Sequence, residues 1–558
     1  MYTKYIILSL CAFTLVAKPR MHDHLRNVPD RESRNVIVVF AKDKKTSGKG
    51  KVNAKKSKNS KHEYAHLDAM AIELDGRALR ELADDDDFAI VAEDRPVWAS
   101  LEFANPTTNA PTARSYGYTG TGIGVAVIDS GVSAHADLGT RLVYSQSFVP
   151  GDTTTGDKYG HGTHVAGIIA GSGSSSTSGT YTFRGIAPNA NIINLRVLDN
   201  IGRGYDSDII AAIDRAIALK TTYNIRVMNL SFGRPVRVSA AMDPLCWAVE
   251  RAWWDSGIVV VASSGNAGRD NSVGNQGYGT IMAPGNDSYI ITVGASRDMK
   301  TTSRADDTMT SFSSKGPTNI DQFVKPDLVA PGNGVISLRA TGSTLDNLLT
   351  RITPNYYVTG GSSTTASPYM RLSGTSMAAP MVSGAVALML QKTPTLSPDV
   401  VKARLMRTAT KTFPSLTTIT EPITGTVYSL RNDMFTTGAG YLDIWGALNN
   451  SDTFDRNTYW SDSPQARYNA GSKRVELVPD PNLIYNQAAS PFRLAYVWPT
   501  TAVKTVSGVN VVWGDNVVWG DSTASAYNVL WGDNILWGDN ILWGDTTNFA
   551  MGSTKDPN

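Results

Sequence analysis

The sequence predicts an α/β fold of three layers, in which a mainly parallel sheet is covered by helices on both faces. Three observations support this prediction. Hydrophobic residues make up 41% of the 558-residue chain, enough for a large core. From residue 121 onwards, apolar strands alternate with helical patterns. These strands are continuous apolar runs, which is typical of strands in a parallel sheet buried on both sides.

The first 17 residues have the composition of a secretion signal. Lys4 precedes an apolar stretch at residues 5–16 that is too short to span a bilayer but suits the core of a signal peptide. A buried N-terminal helix is the alternative. No later segment approaches a membrane span in its sequence, so we expect a secreted protein with no membrane span.

Residues 18–111 are predicted to form a small α+β unit. Strands are expected at residues 35–41, 66–74 and 88–97, with a helix at residues 76–83. Nine lysines fall between Lys42 and Lys61 with no aromatic residue among them. This composition indicates a mobile, solvated hairpin loop rather than a nucleic-acid site.

The next region, residues 112–450, carries the alternating pattern. Its helices are expected at residues 207–219 and 243–256, the second with Asp243 as its cap, Pro244 as its first residue and Gly257 as its stop. Its strands are expected at residues 122–129, 191–198, 226–232, 258–262 and 289–293. In open sheets of this kind, the site lies beyond the carboxyl ends of the strands.

Three polar side chains fall at positions that suit nucleophilic catalysis. Asp129 ends the first of these strands, and His161 opens an apolar helix that stops at Gly171. Ser376 lies in a small-residue turn before another buried helix, with Pro380 expected in the first turn, where no N–H is needed. A serine hydroxyl needs a base to take its proton, and imidazole has a pKa near neutral pH.

Several motifs in this order identify a family. They are VIDSG around Asp129, HGTHVAG at His161, SSGN ending at Asn266 and GTSMAAP around Ser376, supported by FSSKGP and KPDLVAPG. Together they make residues 112–450 resemble the subtilisin-like serine proteases, peptidase family S8.

The resemblance implies a role for each residue of the site. Asp129, His161 and Ser376 would form the catalytic triad, and the side-chain amide of Asn266 would bind the oxyanion together with the N–H of Ser376. The walls of the primary specificity pocket would be two segments: Ser231, Phe232, Gly233 and Ser263, Ser264, Gly265. The unit at residues 18–111 would be the inhibitory propeptide.

The sequence departs from the family pattern at Arg234, where many relatives have a second glycine. This arginine would narrow the pocket mouth, favour acidic residues or point outward. The Ala283–Pro284 bond lies where relatives have a cis proline. The HGTH pair of His161 and His164 resembles a metal pair, but no third ligand has a fitting spacing, so we expect no metal site there.

No cofactor is expected, although a structural calcium ion is compatible with the family. The interval of 215 residues between His161 and Ser376 is longer than in compact relatives. It indicates insertions with surface-loop composition at residues 172–182, 269–279 and 343–369.

The C-terminal region is predicted to be a linker or extension at residues 451–505, followed by β-rich repeats at residues 506–546. Each repeat begins with Trp-Gly-Asp after an apolar pair, and the even spacing keeps the tryptophans on one face of an extended chain. They either pack as short strands or form a surface or glycan-binding appendage. The repeats start at Trp513, Trp519, Trp531, Trp537 and Trp543.

Together these observations predict a secreted, monomeric serine endopeptidase that hydrolyses polypeptides through an acyl-enzyme. It would be made as a precursor, held by its own propeptide and matured by a cut between residues 97 and 113. The 52 basic and 50 acidic residues nearly balance, which argues against a nucleic-acid partner. Two alternatives remain: a catalytically silent binding protein that uses the repeats, and an ester hydrolase, which would normally show a Gly-x-Ser-x-Gly turn.

Overall fold

The structure is a computed structural model, and its described residues form two compact units that we treat separately. The described residues up to 93 belong to the first unit, and nearly all those from 107 onwards belong to the second. The structure describes residues 20–21, 23–41, 43–55, 62–63, 69–93, 107–177, 179–272, 275–349, 352–420, 426–469 and 474–498.

The first unit is a five-stranded sheet with three helices. In spatial order its strands are Arg20–Met21, Phe88–Glu93, Ser33–Phe40, Ala69–Asp75 and His62–Glu63. The first two are parallel and the remaining neighbours are antiparallel. Its helices are Asp23–Arg26, Lys45–Lys55 and Gly76–Leu82. Three of its strands and the helix Gly76–Leu82 lie close to the positions expected from the sequence.

The prediction of a mobile lysine-rich loop is wrong for the described part of that region. Lys45–Lys55 is a helix that buries Val52 and lays Gly48 against the ring of Phe40. A Cβ on Gly48 would lie 2.6 Å from that ring. Lys51 pairs with the carboxylates of Asp85 and Asp87 at 2.7 and 2.6 Å. The lysines therefore balance an acidic turn that is distant in sequence, and sequence spacing gives no sign of such pairing.

The second unit is built around an eight-stranded sheet that is parallel apart from one edge strand. In spatial order the strands are Leu142–Ser147, Asn191–Arg196, Gly124–Asp129, Ile225–Leu230, Val259–Ser263, Ile291–Arg297 and Thr308–Met309, with Leu328–Pro331 also paired to Ile291–Arg297. Thr308–Met309 is the antiparallel strand. Consecutive residues of Gly124–Asp129 and Val259–Ser263 are all buried, so both faces of the sheet are covered.

Helices supply that cover, and their ends match the sequence signals. Asp243 caps Pro244–Trp254 by accepting a hydrogen bond from the N–H of Leu245, and Gly171 ends His161–Ala170. The three-layer α/β prediction is confirmed. The helices of this unit are Ala110–Ser115, His161–Ala170, Asp206–Ala218, Lys220–Tyr223, Pro244–Trp254, Thr344–Leu348, Thr375–Lys392, Pro398–Thr408, Met434–Thr437, Ile444–Asn449 and Leu494–Val497.

The long helix Thr375–Lys392 crosses the sheet and is buried from its first residue to Leu390. The expected place of Pro380 in its first turn is wrong, because Pro380 is the sixth residue of the helix. A proline there has no N–H to donate to the carbonyl of Ser376, four residues earlier. That carbonyl instead accepts a hydrogen bond from Ser231 Oγ at 2.9 Å.

The expected insertion at residues 343–369 is only partly a surface loop. It contains the helix Thr344–Leu348, in which Leu345 is buried, and two tyrosines of the region are buried as well. The rings of Tyr357 and Tyr369 meet the edge of Phe183 with centroids 5.2 and 4.9 Å apart. Aromatic packing therefore ties this insertion to the core.

The described part of the predicted C-terminal extension is packed onto the second unit. Tyr485, Phe492 and Trp498 share a core with Ala403 and Phe435. Three two-stranded sheets complete the unit: Val335–Leu338 with Tyr369–Leu372, Leu416–Thr420 with Val427–Arg431, and Ala466–Asn469 with Arg474–Leu477. Among the described residues, no helix combines the length and apolar character that crossing a membrane requires.

Several expectations fall outside the described residues. They concern the signal peptide at residues 1–17, the Trp-Gly-Asp repeats and most of the expected maturation region, of which the structure describes residues 107–113. These remain predictions from the sequence.

Candidate active site

The carboxyl ends of three adjacent strands bring the predicted site residues to one edge of the sheet. Asp129 is the last residue of its strand, and the neighbouring strand pairs Leu230 with Ile128, so that Ser231 follows beside Asp129. The third strand ends at Ser263 and leads into Ser264, Gly265 and Asn266. This is the edge at which open α/β sheets place their ligands.

Asp129 and His161 are joined by a buried hydrogen bond. Nδ1 of His161 lies 2.8 Å from Oδ1 of Asp129, and both side chains are almost fully buried. The backbone N–H of Ser130 donates to the same carboxylate oxygen at 2.7 Å. An Nδ1–H bonded to this carboxylate leaves Nε2 as the basic nitrogen of the neutral imidazole. Within the described part of the chain, that Nε2 has no hydrogen-bond partner.

The carboxylate also changes the acidity of the imidazole. Burial lowers the pKa of His161, but the negative charge of Asp129 and its hydrogen bond raise it by more, so the net pKa of His161 lies above its usual value of 6.5. This favours the imidazolium form at the moment a proton is taken up. His161 is therefore suited to accept a proton through Nε2.

A second buried carboxylate, Asp157, fixes the start of the His161 helix. It accepts hydrogen bonds from the N–H groups of Gly160 and Thr163 at 2.6 and 2.8 Å. It also accepts one from Ser130 Oγ at 2.8 Å, and that hydroxyl in turn accepts from the N–H of Gly162 at 2.9 Å. Asp157 and Ser130 thus join the two segments that carry Asp129 and His161. Sequence reasoning missed both, although Ser130 lies within VIDSG.

Ser376 is the second residue of its helix and is bound to Ser231 by two hydrogen bonds. Its hydroxyl donates to the carbonyl of Ser231 at 2.9 Å, while the hydroxyl of Ser231 donates to the carbonyl of Ser376 at the same distance. Because Ser231 follows the strand next to Asp129, this pair of bonds places Ser376 at the shared edge. Its N–H belongs to the first helical turn, which has no partner within the helix.

The side chain of Asn266 is hydrogen-bonded through its oxygen, Oδ1, and not through its nitrogen, Nδ2. Its Oδ1 accepts from the N–H and the hydroxyl of Thr375, at 2.9 and 3.1 Å. Thr375 immediately precedes Ser376, and its hydroxyl also accepts from the N–H of Gly265 at 3.2 Å. The Nδ2 donors of Asn266 therefore remain for a ligand beside Ser376. The importance of Thr375 was not anticipated, although it stands inside the GTSMAAP motif.

The two segments that the resemblance assigns to the pocket walls lie next to each other. Ser263 Oγ donates to the carbonyl of Phe232 at 3.3 Å, which links the two segments directly. Beyond them, the N–H of Met282 donates to the carbonyl of Ser264 at 3.0 Å. The bond between Ala283 and Pro284 is cis, as expected.

Comparison with known proteins agrees with this geometry. The model of the subtilase family of peptidases matches residues 120–426, more than half of the chain. The chain belongs to the subtilase family. Serine protease AprX of Bacillus subtilis (strain 168) is 38% identical over 392 residues, covering 67% of this chain and 83% of that protein. Subtilisin E of the same organism is 35% identical over 353 residues, covering 62% and 77%.

A solved structure, that of a cold adapted subtilisin-like serine proteinase, is 29% identical with a TM-score of 0.38, and covers 52% of this chain and 84% of that chain. The family relationship establishes that this subtilase is a serine endopeptidase, which confirms the resemblance found in the sequence.

Arg234, where this subtilase departs from the family pattern, forms ion pairs with two carboxylates. Its guanidinium bonds Asp206 at 2.9 Å and Asp243 at 2.7 Å. Asp206 opens one helix and Asp243 caps the next. The guanidinium is therefore held by two carboxylates of this chain, and an acidic substrate residue would have to compete with them for it.

His164 has a structural role in this subtilase. Its Nε2 lies 3.0 Å from the carbonyl of Val335 and 3.2 Å from that of Met370, so it donates to backbone oxygens. Burial and the neighbouring His161 lower the pKa of His164 to about 3. These two carbonyls therefore fix Nε2 as the protonated nitrogen of His164.

No group of three acidic, histidine or cysteine side chains converges in the part of the chain that the structure covers. The buried carboxylate of Asp137 is already bonded by the hydroxyls of Ser175 and Tyr369, both at 2.6 Å, and by Ser174 at 3.0 Å. Burial alone would raise the pKa of the Asp137 carboxyl, but these hydroxyl donors stabilise its charged form and hold that pKa below its usual value.

Proposed function

We propose that this subtilase cleaves peptide bonds through Ser376, His161 and Asp129 by way of an acyl-enzyme. The observation that carries the proposal is the buried 2.8 Å bond between Asp129 and His161, which leaves Nε2 of the imidazole free to take a proton. Ser376 is bound to Ser231, beside Asp129 at the same edge of the sheet. These observations support the assignment of Ser376 as the nucleophile, His161 as the base and Asp129 as the group that orients the base.

The reaction follows from these positions. As Ser376 Oγ attacks the carbonyl carbon of the substrate, its bond to the Ser231 carbonyl is released and its proton passes to Nε2 of His161. Asp129 stabilises the imidazolium that forms. The same proton then goes to the departing amine, which leaves Ser376 acylated. A water molecule, activated by His161, attacks the acyl carbon and restores the serine hydroxyl.

Charge on the substrate oxygen develops during both attacks. We assign its stabilisation to Nδ2 of Asn266 and the N–H of Ser376. The support is that Thr375 holds Oδ1 of Asn266 and so fixes which end of the amide faces the ligand. The positive end of the helix Thr375–Lys392 acts in the same direction.

We further propose that the enzyme is exported and matured as a monomer. A signal-like segment at residues 1–17 and a separate α+β unit before the catalytic unit support a secreted precursor. Maturation would cut the chain between residues 97 and 113, and the released unit would act as an intramolecular inhibitor until it is degraded. The substrates would be polypeptides.

The decisive experiment compares wild type with Ser376→Ala and with Ser383→Ala. Ser383 lies in the same helix and bonds Asn229, so its removal controls for the loss of a buried serine hydroxyl. We expect wild type and Ser383→Ala to lose about the first hundred residues and to digest casein. Ser376→Ala should stay full length and inert. Intact mass and casein hydrolysis provide the readouts.

If all three proteins stay full length and inert, the catalytic proposal fails, and the Trp-Gly-Asp repeats become the candidate for a binding function. If Ser376→Ala digests casein as wild type does, the protease reaction proceeds but the assignment of its nucleophile is wrong.

A further inference from the structure

We propose that Met282 fills the floor of the primary specificity pocket and restricts this subtilase to small side chains on the acyl side of the cut. The inference rests on the proposed function, because it concerns the same site. It is argued from the space between the two predicted walls of the pocket.

Both walls present a glycine where they approach Met282. On one side stands Gly233, and on the other Gly265, whose φ of +105° suits glycine and few other residues. With no side chain on either glycine, the space between the segments is open to whatever else enters it. In this chain that is the side chain of Met282.

The distances place the methionine directly between the glycines. A Cβ on Gly233 would lie 2.8 Å from Cβ of Met282 and 3.5 Å from its sulfur. A Cβ on Gly265 would lie 2.8 Å from Cγ of Met282 and 3.0 Å from the same sulfur. The thioether thus contacts both walls at once, and Met282 is only 5% exposed.

The backbone around Met282 is fixed to both walls. The N–H of Met282 donates to the carbonyl of Ser264 at 3.0 Å. The next residue, Ala283, exchanges two hydrogen bonds with Arg234, at 2.8 and 3.0 Å. Arg234 in turn is anchored by the carboxylates of Asp206 and Asp243. The floor cannot drop away from the walls without breaking these bonds, so room for a large side chain must come from the methionine itself.

The consequence is a steric limit rather than an electrostatic one. A side chain the size of alanine or serine fits above the thioether, whereas a phenylalanine ring needs the volume that the thioether occupies. Forcing both into one space requires off-rotamer side chains or backbone shifts. The charge of Arg234 is balanced, so it does not add a preference for acidic residues.

The test measures kcat/KM on peptide anilides that are identical except for alanine, leucine or phenylalanine before the scissile bond. Wild type should prefer alanine over phenylalanine. Met282→Gly should raise the phenylalanine to alanine ratio at least about tenfold, since even one methylene in a pocket changes selectivity by about 10- to 200-fold. Met282→Leu, which keeps the volume, should leave the ratio within about threefold of wild type.

Met242→Ala is the matched control, because Met242 is 76% exposed and its ratio should equal that of wild type. If wild type cleaves after phenylalanine as efficiently as after alanine, the inference is overturned, whether or not the variants fold. An unchanged ratio in an active Met282→Gly overturns it as well. If no peptide and no casein is cut by wild type, the proposed function itself fails, which is a distinguishable result.

Discussion

The behaviour of single residues at the site depends on what each side chain is bonded to at rest. The hydroxyl of Ser376 is bonded to a carbonyl, Oδ1 of Asn266 is bonded to Thr375, and Nδ1 of His161 is bonded to Asp129. Each bond uses the end of the group that catalysis does not need, except at Ser376. Of these groups, only the proposed nucleophile must exchange its hydrogen-bond partner when substrate arrives.

The raised pKa of His161 predicts the acid limb of the pH profile. The free enzyme needs a neutral imidazole, so kcat/KM should fall as the pH drops through that pKa. Because the charge and hydrogen bond of Asp129 outweigh burial, the midpoint should lie above 6.5. The profile of kcat/KM between pH 5 and 9 measures it. His135→Gln should leave the midpoint in place, and a midpoint at or below 6.5 would contradict the prediction.

Replacing Asn266 by alanine tests the oxyanion assignment. The change removes one preorganised donor but leaves Ser376, His161 and Asp129 in place. We expect kcat to fall about 10²- to 10³-fold with little change in KM, the size of loss typical of this substitution in a subtilisin, to whose family the chain belongs. Steady-state kinetics on a peptide anilide measure it. If KM rises while kcat is unchanged, Asn266 instead binds the substrate equally well in the ground state and the transition state.

At the scale of whole elements, the site depends on how closely the His161 helix approaches the end of the Asp129 strand. A Cβ on Gly162 would lie 2.3 Å from the carbonyl of Gly131 and 3.0 Å from Cβ of Asp129. Glycine is required there because the backbones are in contact. The Asp129–His161 bond therefore relies on a helix start with no side chain on its second residue.

Gly162→Ala should force helix and strand apart and reduce kcat/KM by at least about 10²-fold, since a displacement of about 1 Å can cost that much. Gly156→Ala is the matched control, because a Cβ there meets only Ser133 Oγ at 3.8 Å. Its kcat/KM should be close to that of wild type. Kinetics together with circular dichroism separate misplacement from unfolding, and an active, folded Gly162→Ala would refute the argument.

The sequence predicted these elements well where the signal is local. The strand before Asp129 and the capped helix Pro244–Trp254 both follow from apolar runs and end residues. The prediction from sequence failed where partners distant in the sequence determine the local structure. The helix Lys45–Lys55 gains partners for its lysines from residues 81–87, and Pro380 is tolerated inside a helix because Ser231 satisfies the carbonyl it leaves unbonded. Those partners come from elsewhere in the fold.

The site shows the same division. Motif order was enough to select the triad and Asn266 as candidates. The roles of Asp157 and Met282 depend on contacts across the sheet edge, which no spacing reveals. The two carboxylates that Arg234 binds, which bear on the expected preference for acidic residues, likewise come from distant parts of the sequence.

For the molecule as a whole, buried lysines predict how stability changes in alkali. Burial lowers the pKa values of Lys315 and Lys325 from 10.5 to about 8, although nearby carboxylates oppose the shift. Between those values the unfolded chain binds more protons than the folded one, so the free energy of unfolding rises with pH. This contribution is fully present above about pH 10.5 and is lost as the pH falls through 8.

Other groups limit that gain. Burial raises the pKa of Asp307 to about 7. Below pH 8 the folded chain therefore binds more protons at this carboxyl than the unfolded chain does, and the free energy of unfolding falls as the pH rises. Burial also raises the pKa values of Cys246, Tyr159 and Tyr289. Stability is therefore lost from about pH 9 upwards as the thiol ionises in the unfolded chain, and further above about pH 10 as the tyrosines ionise. The rise should therefore appear between about pH 8.5 and 9.5.

Melting temperature checks this prediction, measured on mature enzyme inactivated with a serine-directed sulfonyl fluoride to prevent self-digestion. We expect a rise of roughly 1 to 3 °C over that interval, since each lysine contributes at most about 1.4 kcal/mol to the free energy of unfolding per pH unit. Lys315→Met keeps the apolar length of the side chain and should flatten the rise. A melting temperature that falls steadily from pH 8 to 9.5 would contradict the prediction.

The two hydrogen bonds between Ser231 and Ser376 bear on how the length of the intervening chain can change during evolution. The two residues are 145 positions apart, yet each closes on the other through both its hydroxyl and its carbonyl. The position of the proposed nucleophile is therefore set by the end of a sheet strand and not by the path of the chain between the two residues. Evolution could lengthen the intervening loops without having to rebuild the chemistry.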